Sequence, residues 1–472
     1  MEKKHLSPIA NDVLRRCAQQ LDTSEDALVQ EFEAQWSPEI NGSYARKLVE
    51  FCCSKALANI CSGIKEKIND GSYSQFTFNM MLAWEMPSSA DEESYTECVA
   101  KEKEDRKVDA EKPSVGEDSF VWLATLVPFA ADVVNGRFTF ETLTAPTGNR
   151  LHFPAYDKFL KEIDKWITHL QNQAPPKGVE LADDEFILHV EGTATSQRVV
   201  RHIGGTSWPE FPGRLTLTNY ALYFETFGII SYEDAIKLDL LRDDVSVKPA
   251  ATGPWGAPLF DKAIVYESPE LQEGVVLEFP ELTSSTRRDH WLALAKEVML
   301  LHRFLRKFKV ESPVQKWETH ARTILGITRL HAAREMLRIS PPVPKSFLIF
   351  VLYDEVPKGD YVLAELAENL KNVNSGTPCS ASSILRNLIV GQSCVLGIET
   401  EVSQNGESVT SQAEKLSSLD NTISQVREEA KEIEKAQAPA ERLKEEWLGD
   451  SILVLMVSAA VESFSFHYIF HL

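Results

Sequence analysis

Apolar residues recur at three- and four-residue intervals through most of the first 171 positions, a spacing that predicts helices. Val13, Cys17 and Leu21 share one stripe, and a second helix is expected from Ser24 to Trp36. Tyr44–Ile68 aligns Leu48, Phe51, Cys52, Ala56, Ile60 and Ile64 on one face, so it reads as a single amphipathic helix. Asp91–Asp118 interrupts this order: 11 acidic and 5 basic residues leave almost nothing to bury, and an exposed linker is expected there. Apolar character returns at Phe120–Val134, and a helix over Ala155–Gln171 ends a helical N-terminal domain covering 1–171.

From Asp184 the period changes to two. Glu185–Glu191, Gln197–Ile203, Gly213–Thr218, Tyr220–Thr226, Asp234–Leu240, Phe260–Glu267 and Gly274–Phe279 each alternate between Gly, Pro or Asp breaks, and so predict seven strands. A helix over Ser285–Phe308 follows, with Trp291, Leu294, Ala295, Val298, Leu301, Leu305 and Phe308 on one face. Such a helix can plug the open end of a small bent barrel, which leads to the expectation of a seven-stranded β-barrel with a capping helix at 184–310.

Helical spacing resumes over 313–400, where Phe347–Tyr353 is a seven-residue apolar run that must be buried. Within 412–448, Leu416, Leu419, Ile423, Val426, Ala430 and Ile433 form a coiled-coil-like seam. That seam can pair with a second copy as a homodimer or fold back on its own chain. The intervening Ser and Thr residues favour self-packing. The hydrophobic tail at 451–472 falls short of the ~20 apolar residues that cross a bilayer, and Glu462 interrupts it.

Two resemblances rest on specific residues. Gly213-Arg-Leu-Thr-Leu-Thr-Asn-Tyr-Ala-Leu-Tyr-Phe224 resembles the central hairpin of GRAM domains, with Leu215, Leu217, Leu222 and Phe224 facing inward around a Thr218-Asn219 turn. The strand order about it implies a PH/GRAM-like module. More broadly, Leu151–Asp157, Arg201–Pro209 and Gly228–Glu233 resemble a plant family of uncharacterised proteins, domain of unknown function 639. That resemblance implies no activity, substrate or catalytic residue. The expected fold class is therefore α+β, with a helical N-terminal region, the PH/GRAM-like barrel and a helical C-terminal region.

Charge and chemistry narrow the function. A net charge of −21 argues against general nucleic-acid binding. P-loop, dinucleotide-binding, nucleophile-elbow and HExxH motifs are absent from the sequence, so no catalytic residue is assigned. Seven scattered cysteines without a CxxC pair read as core residues of a reducing compartment, and neither metal nor cofactor is expected. His189 and His202 fall on neighbouring predicted strands, and His331 and Glu335 share a helix face, but each pair is short of a ligand set. Arg198 and Arg201 are the candidate contacts for a lipid head-group. Arg303, Arg306, Lys307 and Lys309 are the candidates for a weak anionic-membrane contact. The charged first 21 residues read as no secretory signal, and an intracellular location, cytoplasmic or peripheral on an organelle membrane, is expected. The function expected is a non-enzymatic adaptor or scaffold that binds a protein partner or membrane surface. The alternatives are specific phosphoinositide or lipid recognition, and an enzyme without a recognisable motif.

Overall fold

The computed structural model describes residues 6–37, 43–89, 113–192, 199–202, 210–226, 235–252, 260–280, 286–373, 377–388 and 418–435. Five helices open the chain: α1 (Pro8–Gln20), α2 (Glu25–Gln35), α3 (Tyr44–Ile60), α4 (Ile64–Asn69) and α5 (Ser72–Glu85). Ser7, Ser24 and Ser43 each cap a helix by accepting a backbone N–H three residues on, from Ala10, Ala27 and Arg46. The stripe expected to run unbroken to Ile68 breaks at Cys61–Gly63, a turn of 3₁₀ helix, and resumes as α4. The acidic stretch expected as linker is partly ordered. Ser114–Val115 (β1) pairs with Leu151–His152 (β2), and Glu117 begins α6 (Glu117–Leu126). Residues 90–112 lie outside the described set. Helices α7 (Gly136–Thr144) and α8 (Phe153–Gln171) complete this layer.

Eight strands follow: β3 (Ile187–Glu191), β4 (Val199–His202), β5 (Glu210–Thr218), β6 (Ala221–Thr226), β7 (Ile236–Asp239), β8 (Ser246–Thr252), β9 (Phe260–Glu267) and β10 (Val275–Glu278). The GRAM-like hairpin forms in the register its alternation predicts, Leu215 opposite Phe224 and Leu217 opposite Leu222, all four buried. The expected seven-stranded barrel does not form. Among the described residues helices predominate, and the strands make an open antiparallel path, β7-β6-β5-β4-β10-β9-β8, whose two ends do not pair. β3 and β4 lie one after the other along one edge of β5, so the array divides there instead of closing into a tube. The unexpected strand, β8, contains Pro249. It is an edge strand, where a residue without an N–H is tolerated. At the end of β3, Gly192 takes φ 85°, and a Cβ there would lie 2.1 Å from the Gly213 carbonyl, so only glycine fits this turn.

The remaining helices are α9 (Thr286–Lys307), α10 (Pro313–Met336), α11 (Phe350–Glu355), α12 (Gly359–Leu370), α13 (Ala381–Leu388) and α14 (418–435). α9 lies against β8 and β9, while α10 packs on α8 and α13. One apolar core runs continuously from α1 through the sheet to α13. A second gathers Val121, Phe304, Phe350 and Leu366 with Leu419, Ile423 and Val426. Leu419, Ile423 and Val426 of the seam are thus buried within their own chain, while Ile433 is exposed and Leu416 lies outside the described residues. Arg137 pairs with Asp420, and Arg427 pairs with Glu117 and Glu141, across the same joint. The apolar run Phe347–Tyr353 is buried throughout, as expected. No helix among the described residues is long and apolar enough to cross a membrane, and 451–472 lies outside them.

Candidate metal centre

Three histidines from three elements meet where the sheet joins the helices. His189 sits in the middle of β3, His290 in the first turns of α9 and His331 in the last turns of α10. Each has apolar neighbours in its stretch: Leu188 and Val190 flank the first, Trp291 follows the second after the charged Arg287–Asp289, and Leu330 and Ala332 flank the third. The hydrophobic effect that buries those stretches carries the imidazoles in with them, leaving 5%, 2% and 7% of their surfaces exposed. Ring centroids are 4.6 Å apart for His189–His331, 4.9 Å for His290–His331 and 5.2 Å for His189–His290. Trp166 of α8 stacks on His331 at 4.0 Å, and Trp291 lies 4.5 Å from His189, closing the cluster with indole walls.

One ligand atom from each ring lies within 4.8 Å of the other two. Points that close together share a position no more than about 2.8 Å from all three, which is hydrogen-bonding distance. Zinc–imidazole bonds of ~2.0–2.1 Å would require each ring to move inward by about 0.7 Å. Both nitrogens of His189, both of His290 and Nε2 of His331 are buried without a hydrogen-bond partner. Leaving a buried donor or acceptor unpaired costs ~1–3 kcal/mol, so three bare imidazoles facing one point call for an occupant.

The electrostatics prepare the rings for a cation. Burial lowers the pKa of all three histidines, with Arg334 adding to the effect, so they are neutral and present lone pairs at neutral pH. Burial works against the charge on Glu191, but His189 and Arg287 outweigh it and hold the carboxyl at about 2. Arg287 reaches Glu191 Oε2 at 2.8 Å, while Glu191 Oε1 lies 3.6 Å from His189 Nε2. An ionised carboxylate beside the outer nitrogen of a ligand histidine fixes its tautomer and raises its basicity. A single water can donate only two hydrogen bonds to three lone pairs, whereas a divalent ion of the zinc class accepts all three.

Chain spacing could not reveal this set, because its members stand far apart in sequence and the pairs weighed there separate in space. Glu335 pairs with Arg338 and does not join His331. His202 takes its place in β4, opposite Glu210 of β5, away from β3's partners in that strand. The other sequence candidates gather at no comparable site. Arg198 lies outside the described residues, and Arg201 is placed only as a backbone position in β4. Arg303 and Lys309 are exposed. Arg306 pairs with Asp243 and donates to the Leu241 carbonyl, and Lys307 pairs with Asp360 at 2.8 Å. Half of the basic cluster is therefore engaged within the chain. No family model and no curated protein matches this sequence, so the functional reading rests on these residues.

Proposed function

We propose that this protein is a non-catalytic scaffold whose sheet and helical layers are locked together by a zinc-class ion held by His189, His290 and His331. The observation that carries it is the convergence of three neutral, buried imidazoles with unpartnered nitrogens on one point. Burial of all three rings behind Trp166 and Trp291 supports a structural role, since a catalytic ion needs an open position that substrate can reach. The ligands come from β3, α9 and α10, so one ion would tie three elements, with Trp166 of α8 stacked against them. In this reading the engaged Arg306 and Lys307 serve internal charge balance. Binding then falls to a protein partner rather than to a phosphoinositide.

An ion that binds only the folded state stabilises it by about 2.7 kcal/mol at a hundredfold excess over its dissociation constant. Dialysis of the full chain against a chelator is expected to lower its thermal midpoint, and added zinc to restore it. A His331→Ala variant should melt at one temperature under both conditions. Superimposable melts of the native chain with chelator and with zinc would count against the proposal.

A further inference from the structure

Cys61 and Cys379 are 318 residues apart in sequence, yet their sulfurs lie 3.4 Å from each other. Cys61 opens the break between α3 and α4 and is fully buried, while Cys379 is half-buried in the turn leading into α13. One side-chain bond ties α13 to Cys61 directly, and a second ties it to α8. Asn387 Nδ2 donates to the Cys61 carbonyl at 2.8 Å, and Gln171 Nε2 donates to the Leu388 carbonyl. A disulfide requires the sulfurs to close by about 1.4 Å, within reach of a half-buried turn.

We propose that Cys61 and Cys379 form a modification site that reacts with a low-molecular-weight disulfide and closes to a covalent staple between the N-terminal helical layer and α13. The two sulfurs have different parts. The hydrogen bond between the sulfurs lowers the pKa of Cys379, whereas that bond and burial raise that of Cys61. Cys379 is the more accessible and the more readily ionised, so its thiolate attacks the incoming disulfide, forming a mixed disulfide and expelling one thiolate. Cys61 then loses its proton, attacks the Cys379 sulfur and expels the second thiolate. Two protein thiols are oxidised with loss of two hydrogens, and the reagent disulfide is reduced to two thiols. This site is independent of the histidine centre and stands or falls apart from it.

The test is incubation of the full chain with oxidised glutathione, an acid quench, alkylation and peptide mass mapping. The expected product is a cross-linked peptide pair containing Cys61 and Cys379, two hydrogens lighter than the reduced pair and reversed by dithiothreitol. In Cys61→Ser the glutathione adduct should persist on Cys379, because the resolving sulfur is gone. In Cys379→Ser both the adduct and the cross-link should be lost. The oxidised native chain should melt higher than the reduced one, and Cys379→Ser should abolish the difference. A stable glutathione adduct on native Cys379, a cross-link that instead uses Cys17, Cys52 or Cys53, or no reaction would overturn the proposal. The mapping on the native chain decides it even where a variant fails to fold.

Discussion

Trp291→Ala is expected to destabilise the folded chain by about 3–5 kcal/mol, read as a lower denaturant midpoint. The indole is fully buried, stacks on Phe279 with centroids 5.7 Å apart and forms a wall of the histidine cluster. Truncation would open a cavity between α9 and the sheet in a core that stays continuous with the N-terminal helices, leaving few neighbours able to collapse into it. Because the ring also borders His189, the variant should bind metal more weakly. An unchanged midpoint would mean that α9 does not rest on this face.

The second large effect is a pH dependence centred on Glu297. This α9 carboxylate is fully buried and accepts the backbone N–H groups of Ile349, Phe350 and Val351, at the start of α11. Burial raises its pKa from 4.5 to about 7, despite the opposing pull of those three donors. The folded state therefore holds the proton more tightly than the unfolded state. The sign follows: this contribution to stability is fully present below about 4.5 and is lost as pH rises through about 7. At 1.36 kcal/mol per pKa unit, the loss is on the order of 3 kcal/mol. Urea midpoints of the native chain should fall across this window, while those of Glu297→Gln, which cannot ionise, should change less. Glu297→Ala should be weaker than both at every pH, since three buried donors lose their acceptor. Equal slopes for the native chain and the Gln variant would exclude this role for Glu297.

Much of the local structure was legible because each element carries its own signal. The stripes of α1, α3 and α9 and the alternation around Thr218-Asn219 each need only neighbouring residues. What failed was closure. Seven alternating segments suggested a tube, but that β3 and β4 share one edge of β5 depends on pairings many residues apart. Pro249 hid β8, because its missing N–H argues against a strand everywhere except at an edge. The self-packing of α14 was favoured over dimer pairing in the sequence, and Leu419, Ile423 and Val426 are indeed buried in the second core. The histidine centre was illegible for a different reason. Metal sites read from sequence rely on ligands a few residues apart, and these three are brought together only by tertiary packing. The trace they leave is a polar ring between apolar neighbours at His189 and His331, while His290 follows the charged Arg287–Asp289.

The most direct measurement is the metal content of the full chain, purified without chelators, set beside its His290→Ala variant. The structural account predicts about one equivalent of a zinc-class ion per chain, with imidazole nitrogens in its X-ray absorption spectrum. The variant, reduced to two histidine ligands, should lose that ion. A metal-free native chain that also takes up none from added zinc would contradict the account, as would a variant that retains the full equivalent.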